Sequence, residues 1–160
     1  MASDLFIKIG DIKGESQDDK HKDEIEVLSW SWGMVQPGSM GTGGGGGTGK
    51  VSFSDLSFTH YVDKASPNLM KACATGEHLK EATLTVRKAG KTPQEFMLIK
   101  VKDVIITHVA PSGSAGEGGM AESVSFQFGS VDLEYKPQKA DGSLDAGIHF
   151  KYDLKLGKEG

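Results

Sequence analysis

Gly44, Gly49 and Lys50 stand at the spacing of a phosphate-binding loop within the run Gly43-Gly44-Gly45-Gly46-Gly47-Thr48-Gly49-Lys50. Such a loop cradles phosphates with backbone N–H groups, reaches them with its lysine and holds magnesium through the hydroxyl that follows. Here the following residue is Val51, which has no oxygen for a metal. The loop should then open a helix whose N-terminus faces the anion, yet Val51-Ser52-Phe53-Ser54 alternates apolar and polar at the period of a strand. With metal ligand and helix both missing, nucleotide chemistry is disfavoured. The five histidines, His21, His60, His78, His108 and His149, are scattered and form no short metal-ligand motif, so they read as structural or surface groups. The sole cysteine, Cys73, cannot form an internal bridge and reads as a small buried hydrophobe. No G-x-S-x-G elbow is present, and no Cys/His pairing stands out. The expectation is no catalytic residue, no metal and no cofactor.

The glycine run is better explained by its thermodynamics. Ordering the 12 residues from Gly38 to Gly49 costs on the order of 12–24 kcal/mol of backbone entropy. Met40, the one large apolar side chain among them, returns roughly 1.5–3 kcal/mol if buried. The extended glycine-rich loop at about 36–50 is therefore expected to become ordered only against another subunit, with Gly38, Met40, Gly43, Gly44, Gly45, Gly46, Gly47 and Gly49 as interface residues.

The elements flanking this loop read mostly as strands. Leu5–Ile9 is a first strand, and the polar run Glu15–Glu24 reads as a solvated loop. Ile25–Trp32 is a second strand and Val51–Val62 a third, with a bulge expected near Ser54 and Asp55 where the apolar phase changes. Ser66–Gly76 is the one confident helix, with Ser66 as N-cap, Pro67 at the first helical position and Gly76 at the C-terminus. Its apolar face is Leu69, Met70 and Cys73. Strands follow at Ala82–Lys88, Phe96–Val109, Ser123–Tyr135, with a bulge at Gly129-Ser130, and Ile148–Leu156. In the last, Ile148, Phe150, Tyr152, Leu154 and Leu156 should all pack. Gly113–Gly119 is a turn or loop. The 160 residues are thus expected to form a single domain, all-β with one short α-helix: a β-barrel or sandwich of two packed antiparallel sheets.

Two further sets of residues bear on function. Leu28, Trp30 and Trp32 share one face of the second strand and should be core, while Ser29 and Ser31 follow Ile25 and Val27 on the other. Small hydroxyls there suit either solvent-facing sheet or the wall of a cavity formed on assembly. The balance of 22 acidic against 18 basic side chains, net −4, provides no basic footprint for nucleic acid. No apolar run approaches the roughly 18–20 residues needed to cross a bilayer, and Met1–Gly10 has no apolar signal region. A soluble chain made in the cytoplasm is expected, and any export must use a route that does not read an N-terminal peptide.

Taken in order, Phe6-Ile7-Lys8-Ile9-Gly10-Asp11-Ile12-Lys13-Gly14-Glu15-Ser16, Val27-Leu28-Ser29-Trp30-Ser31-Trp32-Gly33 and the glycine loop resemble the Hcp (hemolysin co-regulated protein) family of type VI secretion tube proteins. The similarity continues through Leu56-Ser57-Phe58-Thr59, Ser66-Pro67-Asn68-Leu69-Met70, Arg87-Lys88-Ala89-Gly90 and Tyr135-Lys136-Pro137-Gln138-Lys139-Ala140-Asp141-Gly142. The resemblance implies a phage tail-tube-like fold and a homohexameric ring that stacks into a hollow tube. Its partners would be a VgrG spike, contractile sheath proteins and small secreted effectors carried in the lumen, and the tube would leave the cell without a Sec signal. By the same resemblance the glycine loop contacts neighbouring subunits, and Ser31, with Ser29 beside it, faces cargo in the lumen.

Overall fold

Alternating apolar side chains make the framework. The computed structural model describes residues 2–38, 49–116 and 118–160. Among them lie the strands β1 (Ser3–Ile9), β2 (Ile25–Glu26), β3 (Ser29–Ser31), β4 (Met34–Val35), β5 (Ser52–Phe53) and β6 (Leu56–Tyr61), then the helix α1 (Ser66–Thr75). After it come β7 (His78–Lys88), β8 (Gln94–Ser112), β9 (Ala121–Gln127), β10 (Ser130–Tyr135), β11 (Ile148–Asp153) and β12 (Lys158–Glu159). The fold is all-β with one short helix. Ten strands form a curled antiparallel sheet, and β4 and β5 form a separate two-stranded ribbon.

The long strand β8 joins the two halves of the curled sheet. Its first half lies between β7 and β10, and its second half pairs with β9, which continues to β6 and β3. Closure comes at Val27 and Leu28. Val27 N–H donates to Leu5 C=O at the edge of β1, and Leu28 N–H donates to Thr59 C=O on β6. One stretch of chain thereby bridges the β1 and β6 edges into a barrel-like enclosure, and β10, β11 and β12 extend the sheet beyond it. Inside it Ile7, Ile9, Ile25, Leu56, Phe58, Leu84, Ile99, Val101, Val124 and Phe126 are buried, each large side chain contributing about 1.5–3 kcal/mol.

The switch of partner at Val27 corrects the phase expected from sequence. Ile25 and Val27 are core, not on a wet face with Ser29 and Ser31, because the change of register at Leu28 turns the chain over by one residue. Trp30 and Trp32 pack against the core as expected, whereas Leu28, at the switch, is 49% exposed. The third expected strand is split into β5 and β6. Ser54 N–H donates to Gly33 C=O at the split, in place of a continuous ladder. Likewise Ser123–Tyr135 is two strands, parted where Gly129 N–H is shared between Lys102 and Asp103 carbonyls.

The helix starts differently from its sequence signature. Ala65 is the cap residue, and Ser66 Oγ accepts from Asp63 N–H instead of capping a helical amide. Its end is as expected: Gly76 adopts φ 65°, a left-handed conformation that glycine accommodates without Cβ strain, while Glu77 N–H reaches Ala72 C=O. Leu69 and Ala72 are buried and Cys73 is half-buried against the core, but Met70 lies exposed. At the last long strand Phe150, Tyr152 and Leu154 pack, while Ile148 and Leu156 are exposed because each stands beyond the covered width of the sheet.

The polar run Glu15–Glu24 is not simply solvated. It lies on the outer face of β1 and β7, where His21 stacks on Phe6 with ring centroids 4.5 Å apart. His21 Nδ1 is 3.0 Å from Glu24 and its Nε2 2.7 Å from Glu95. Arg87, buried on the same face, donates two hydrogen bonds to Asp18 at 2.9 and 2.7 Å and a third to Asp4 at 3.2 Å. That bidentate bond holds the Asp18 carboxyl down from 3.8 to about 2. A depressed carboxylate contributes stability above its ordinary value and loses it as pH falls through the folded one. Asp18→Asn should therefore lower the melting temperature at pH 7, and the deficit should close as the pH falls from 3.8 to about 2. Thermal melts of both proteins across that range check this; a deficit constant with pH would contradict it.

A hydroxyl-lined sheet face as the candidate functional site

Strands β3, β6 and β9 bury one face and expose the other, so every second residue faces outward. On the buried side stand Leu56, Phe58, His60, Glu122, Val124 and Phe126. Across the exposed side, register aligns Ser31 with Ser57 and Ser57 with Ser125; one step along, Ser29 aligns with Thr59 and Thr59 with Ser123. Six hydroxyls from three strands thus form two rows. Ser29 Oγ lies 2.6 Å from Thr59 Oγ1, and Ser57 Oγ lies 2.8 Å from Ser125 Oγ. The rows continue onto β8 at His108 and Ala110, and the next pair along is Tyr61 with Ala121.

No charged side chain faces outward from β3, β6 or β9 between Tyr61 and Gln127. Asp55 stands at the border, where it accepts a hydrogen bond from Thr107 at 2.6 Å. The other half of the sheet is quite different. One row across it reads Lys8, Thr83, Lys100, Asp132, Lys151, and the next includes Glu81, Lys102 and Asp153. Each such hydroxyl can both donate and accept, so the neutral face can bond to backbone amides of varied sequence while offering no strong charge. Ser29 bonds to Thr59 and Ser57 to Ser125, and among the described residues none of the six hydroxyls bonds to a base.

Ser29 and Ser31 are both exposed on this face, as the sequence reading required. Their neighbours Ser57, Thr59, Ser123 and Ser125 were missed there. Their signal was legible, because each pair alternates with large apolar residues, Leu56 and Phe58 or Val124 and Phe126; only register shows that they meet Ser29 and Ser31.

The expected interface loop is described at its base alone. A Cβ on Gly49 would stand 2.6 Å from Pro37 Cγ, so the two sides of the base touch at a point where only glycine fits. Gly38 N–H donates to Gln36 C=O. Met40, Gly43, Gly44, Gly45, Gly46 and Gly47 lie outside the described residues. The ribbon β4–β5 that leads to this base is fixed by an aromatic cluster: Trp32 stacks on Phe53 at 6.0 Å and meets Phe128 at 5.8 Å, and Phe53 meets Tyr152 at 5.1 Å. Trp32 Nε1 is buried with no hydrogen-bond partner among the described residues.

Among the described residues no group of three or more His, Cys, Asp or Glu side chains is arranged to hold a metal ion, and no helix is long and apolar enough to cross a membrane. His21, His60 and His149 instead stand within hydrogen-bonding distance of carboxylates.

Comparison with known proteins agrees with this architecture. Residues 6–135 match the family described as "Type VI secretion system effector, Hcp". Protein hcp1 of Pseudomonas aeruginosa is 55% identical over 148 residues, spanning 92% of this chain and 91% of the relative. The crystal structure of Hcp1 from Salmonella typhimurium superposes with a TM-score of 0.79 at 43% identity, covering 99% of each chain. A solved type six secretion system protein, 31% identical, superposes with a TM-score of 0.93 and covers 99% of this chain and 100% of its own. Across sequence and fold alike, and over nearly the whole length, the chain belongs to the Hcp family of type VI secretion proteins.

Proposed function

We propose that this chain is the structural subunit of a type VI secretion tube, forming homohexameric rings that stack around a hollow lumen. The observation that carries this reading is the charge-free, hydroxyl-lined face of β3, β6 and β9, set against a sheet whose outer face carries rows of lysine and carboxylate. A neutral hydroxyl wall suits a passage: it can bond to a polypeptide at many points and release it, since no contact carries a strong charge. Small secreted effectors are the cargo, held against Ser29 and Ser31. The charged half of the sheet and the loop from Gly38 to Gly49 are left for subunit and sheath contacts, with a VgrG spike at the tip. The tube is expelled by sheath contraction, so the chain is made in the cytoplasm and leaves without a cleaved signal.

A contact repeated around a closed rotation makes a ring, and each stable contact should bury more than about 1,000 Å² in total. Native mass spectrometry should show hexamers; monomer alone across working concentrations would end the ring reading. Removing Gly43–Gly47 should weaken ring formation or stacking and leave the monomer's circular dichroism unchanged. Ser31→Gln, which adds bulk to the wall, should reduce co-purification of a small effector encoded beside this chain's gene without dispersing the hexamer. Undiminished co-purification would remove Ser31 from the cargo contact.

A further inference from the structure

Directly behind the hydroxyl face, at the end where β6 turns into α1, lies a buried acid–base chain that the tube reading does not use. His60 is fully buried on β6, and its Nε2 is 2.8 Å from Glu122 Oε1 on β9, itself 1% exposed. Among the described residues the other ring nitrogen, Nδ1, has no hydrogen-bond partner; Asp63 Oδ2 stands 3.8 Å from it, and the Asp63 side chain is 13% exposed. Glu122 Oε2 is also buried and unpartnered. The Asp63 side chain is part of the corner: Oδ1 accepts from Ala65 N–H at 2.9 Å, and its backbone N–H donates to Ser66 Oγ. A third carboxylate, Glu15 from the loop after β1, accepts from Lys64 N–H at 2.7 Å. From β8, the residue paired with Glu122 is Pro111, which carries no charge.

Proton counting makes this arrangement conditional. The Asp63–His60–Glu122 chain is satisfied when it holds two protons. Nε2–H then donates to Glu122, and a second proton lies between Nδ1 and Asp63, on either partner. With one proton fewer, an ionised Asp63 faces the bare lone pair of Nδ1 in a buried site, with Glu122 and Glu15 nearby as further negative charges. Nothing replaces the lost attraction, and the low dielectric makes the repulsion costly.

We propose that the corner joining β6 to α1 is a proton-operated hinge, closed when the Asp63–His60–Glu122 chain holds two protons and loosened when it loses one. Burial raises the Asp63 carboxyl above its ordinary value, outweighing the Ala65 N–H bond and His60, which lower it, and the charges of Glu15 and Glu122 add to the rise. A raised carboxyl favours the protonated folded state, so the closing contribution is present at low pH and is lost as pH rises through the folded value. The corner follows directly on Tyr61, whose side chain stands at the end of the hydroxyl rows. Loosening it would reshape one end of that face. Only this consequence rests on the tube reading; the hinge itself is a property of the single chain.

Amide hydrogen exchange on peptides spanning Tyr61–Leu69, corrected for intrinsic rates, tests the hinge from pH 3.8, the ordinary value of the carboxyl, upward. The local opening constant should rise by up to about 10-fold per pH unit between the ordinary and the raised value of the Asp63 carboxyl, the slope for release of one proton, and level off above the raised value. In Asp63→Asn, which keeps the acceptor for Ala65 N–H but cannot ionise, that slope should be absent. Glu15→Gln should keep the slope and shift the transition to lower pH, because it removes a negative charge that raises the Asp63 carboxyl. A flat profile in the unaltered protein, or an equal slope in Asp63→Asn, would overturn the hinge. The titration of the Asp63 side-chain carbon by NMR in the unaltered protein reads the same proton independently of any variant. Native mass spectra of the same samples keep the two readings apart, since the hinge stands or falls whether or not rings form.

Discussion

Glu122→Leu alone should destabilise the protein by about 3–5 kcal/mol, and adding His60→Phe in the same chain should restore most of that loss. His60 and Glu122 are fully buried and joined at 2.8 Å between β6 and β9. Removing one partner strands the other in a site without water, so the remaining imidazole bears its full desolvation cost. Replacing both with apolar side chains of similar size removes the cost together with the bond, which is why such double replacements are often neutral or better. Phe58 stands near enough to receive a new ring: its centroid already lies 5.6 Å from that of His60. Urea unfolding midpoints of the four proteins in the cycle measure the coupling. If the two single losses simply add in the double variant, the pair is not coupled and the account fails.

Trp32→Ala should cost about 3–5 kcal/mol, while Trp32→Phe should cost far less. The indole packs on Phe53 and Phe128 at the root of the β4–β5 ribbon, and truncation to alanine would leave a hole between ribbon and barrel. Phenylalanine keeps much of the ring contact and eliminates the buried Nε1–H, which has no acceptor among the described residues. Because the ribbon leads into the loop from Gly38 to Gly49, Trp32→Ala should also shift any hexamer towards monomer, whereas Trp32→Phe should not. Equal losses in the two variants, read by thermal melts and native mass spectrometry, would show that the ring contact does not hold the ribbon.

Strand periodicity was readable wherever its cause was local. Leu56 and Phe58, Val124 and Phe126, and Phe150 and Tyr152 all turned inward at the expected period of two. The helix, too, was marked by neighbours in sequence, Pro67 at its start and Gly76 at its end. What sequence misplaced depended on distant partners. Ile25 and Val27 looked continuous with Ser29 and Ser31, but the change of partner from β1 to β6 put them on opposite sides of the wall. The run Glu15–Glu24 looked solvated because its composition is polar, yet Arg87 and Glu95, far along the chain, bind Asp18 and His21 within it.

The sequence by itself determined the family, the β-rich class, the lone helix and the small hydroxyls at Ser29 and Ser31. Those follow from residue order and local period, which no folding partner can alter. Tertiary structure alone decided that Ser57, Thr59, Ser123 and Ser125 would complete one neutral face, and that His60 would meet Glu122 and Asp63 behind it. The physical reason is register: hydrogen bonding between strands fixes which side chains stand opposite one another, and a one-residue change at Leu28 selects the face to which each belongs.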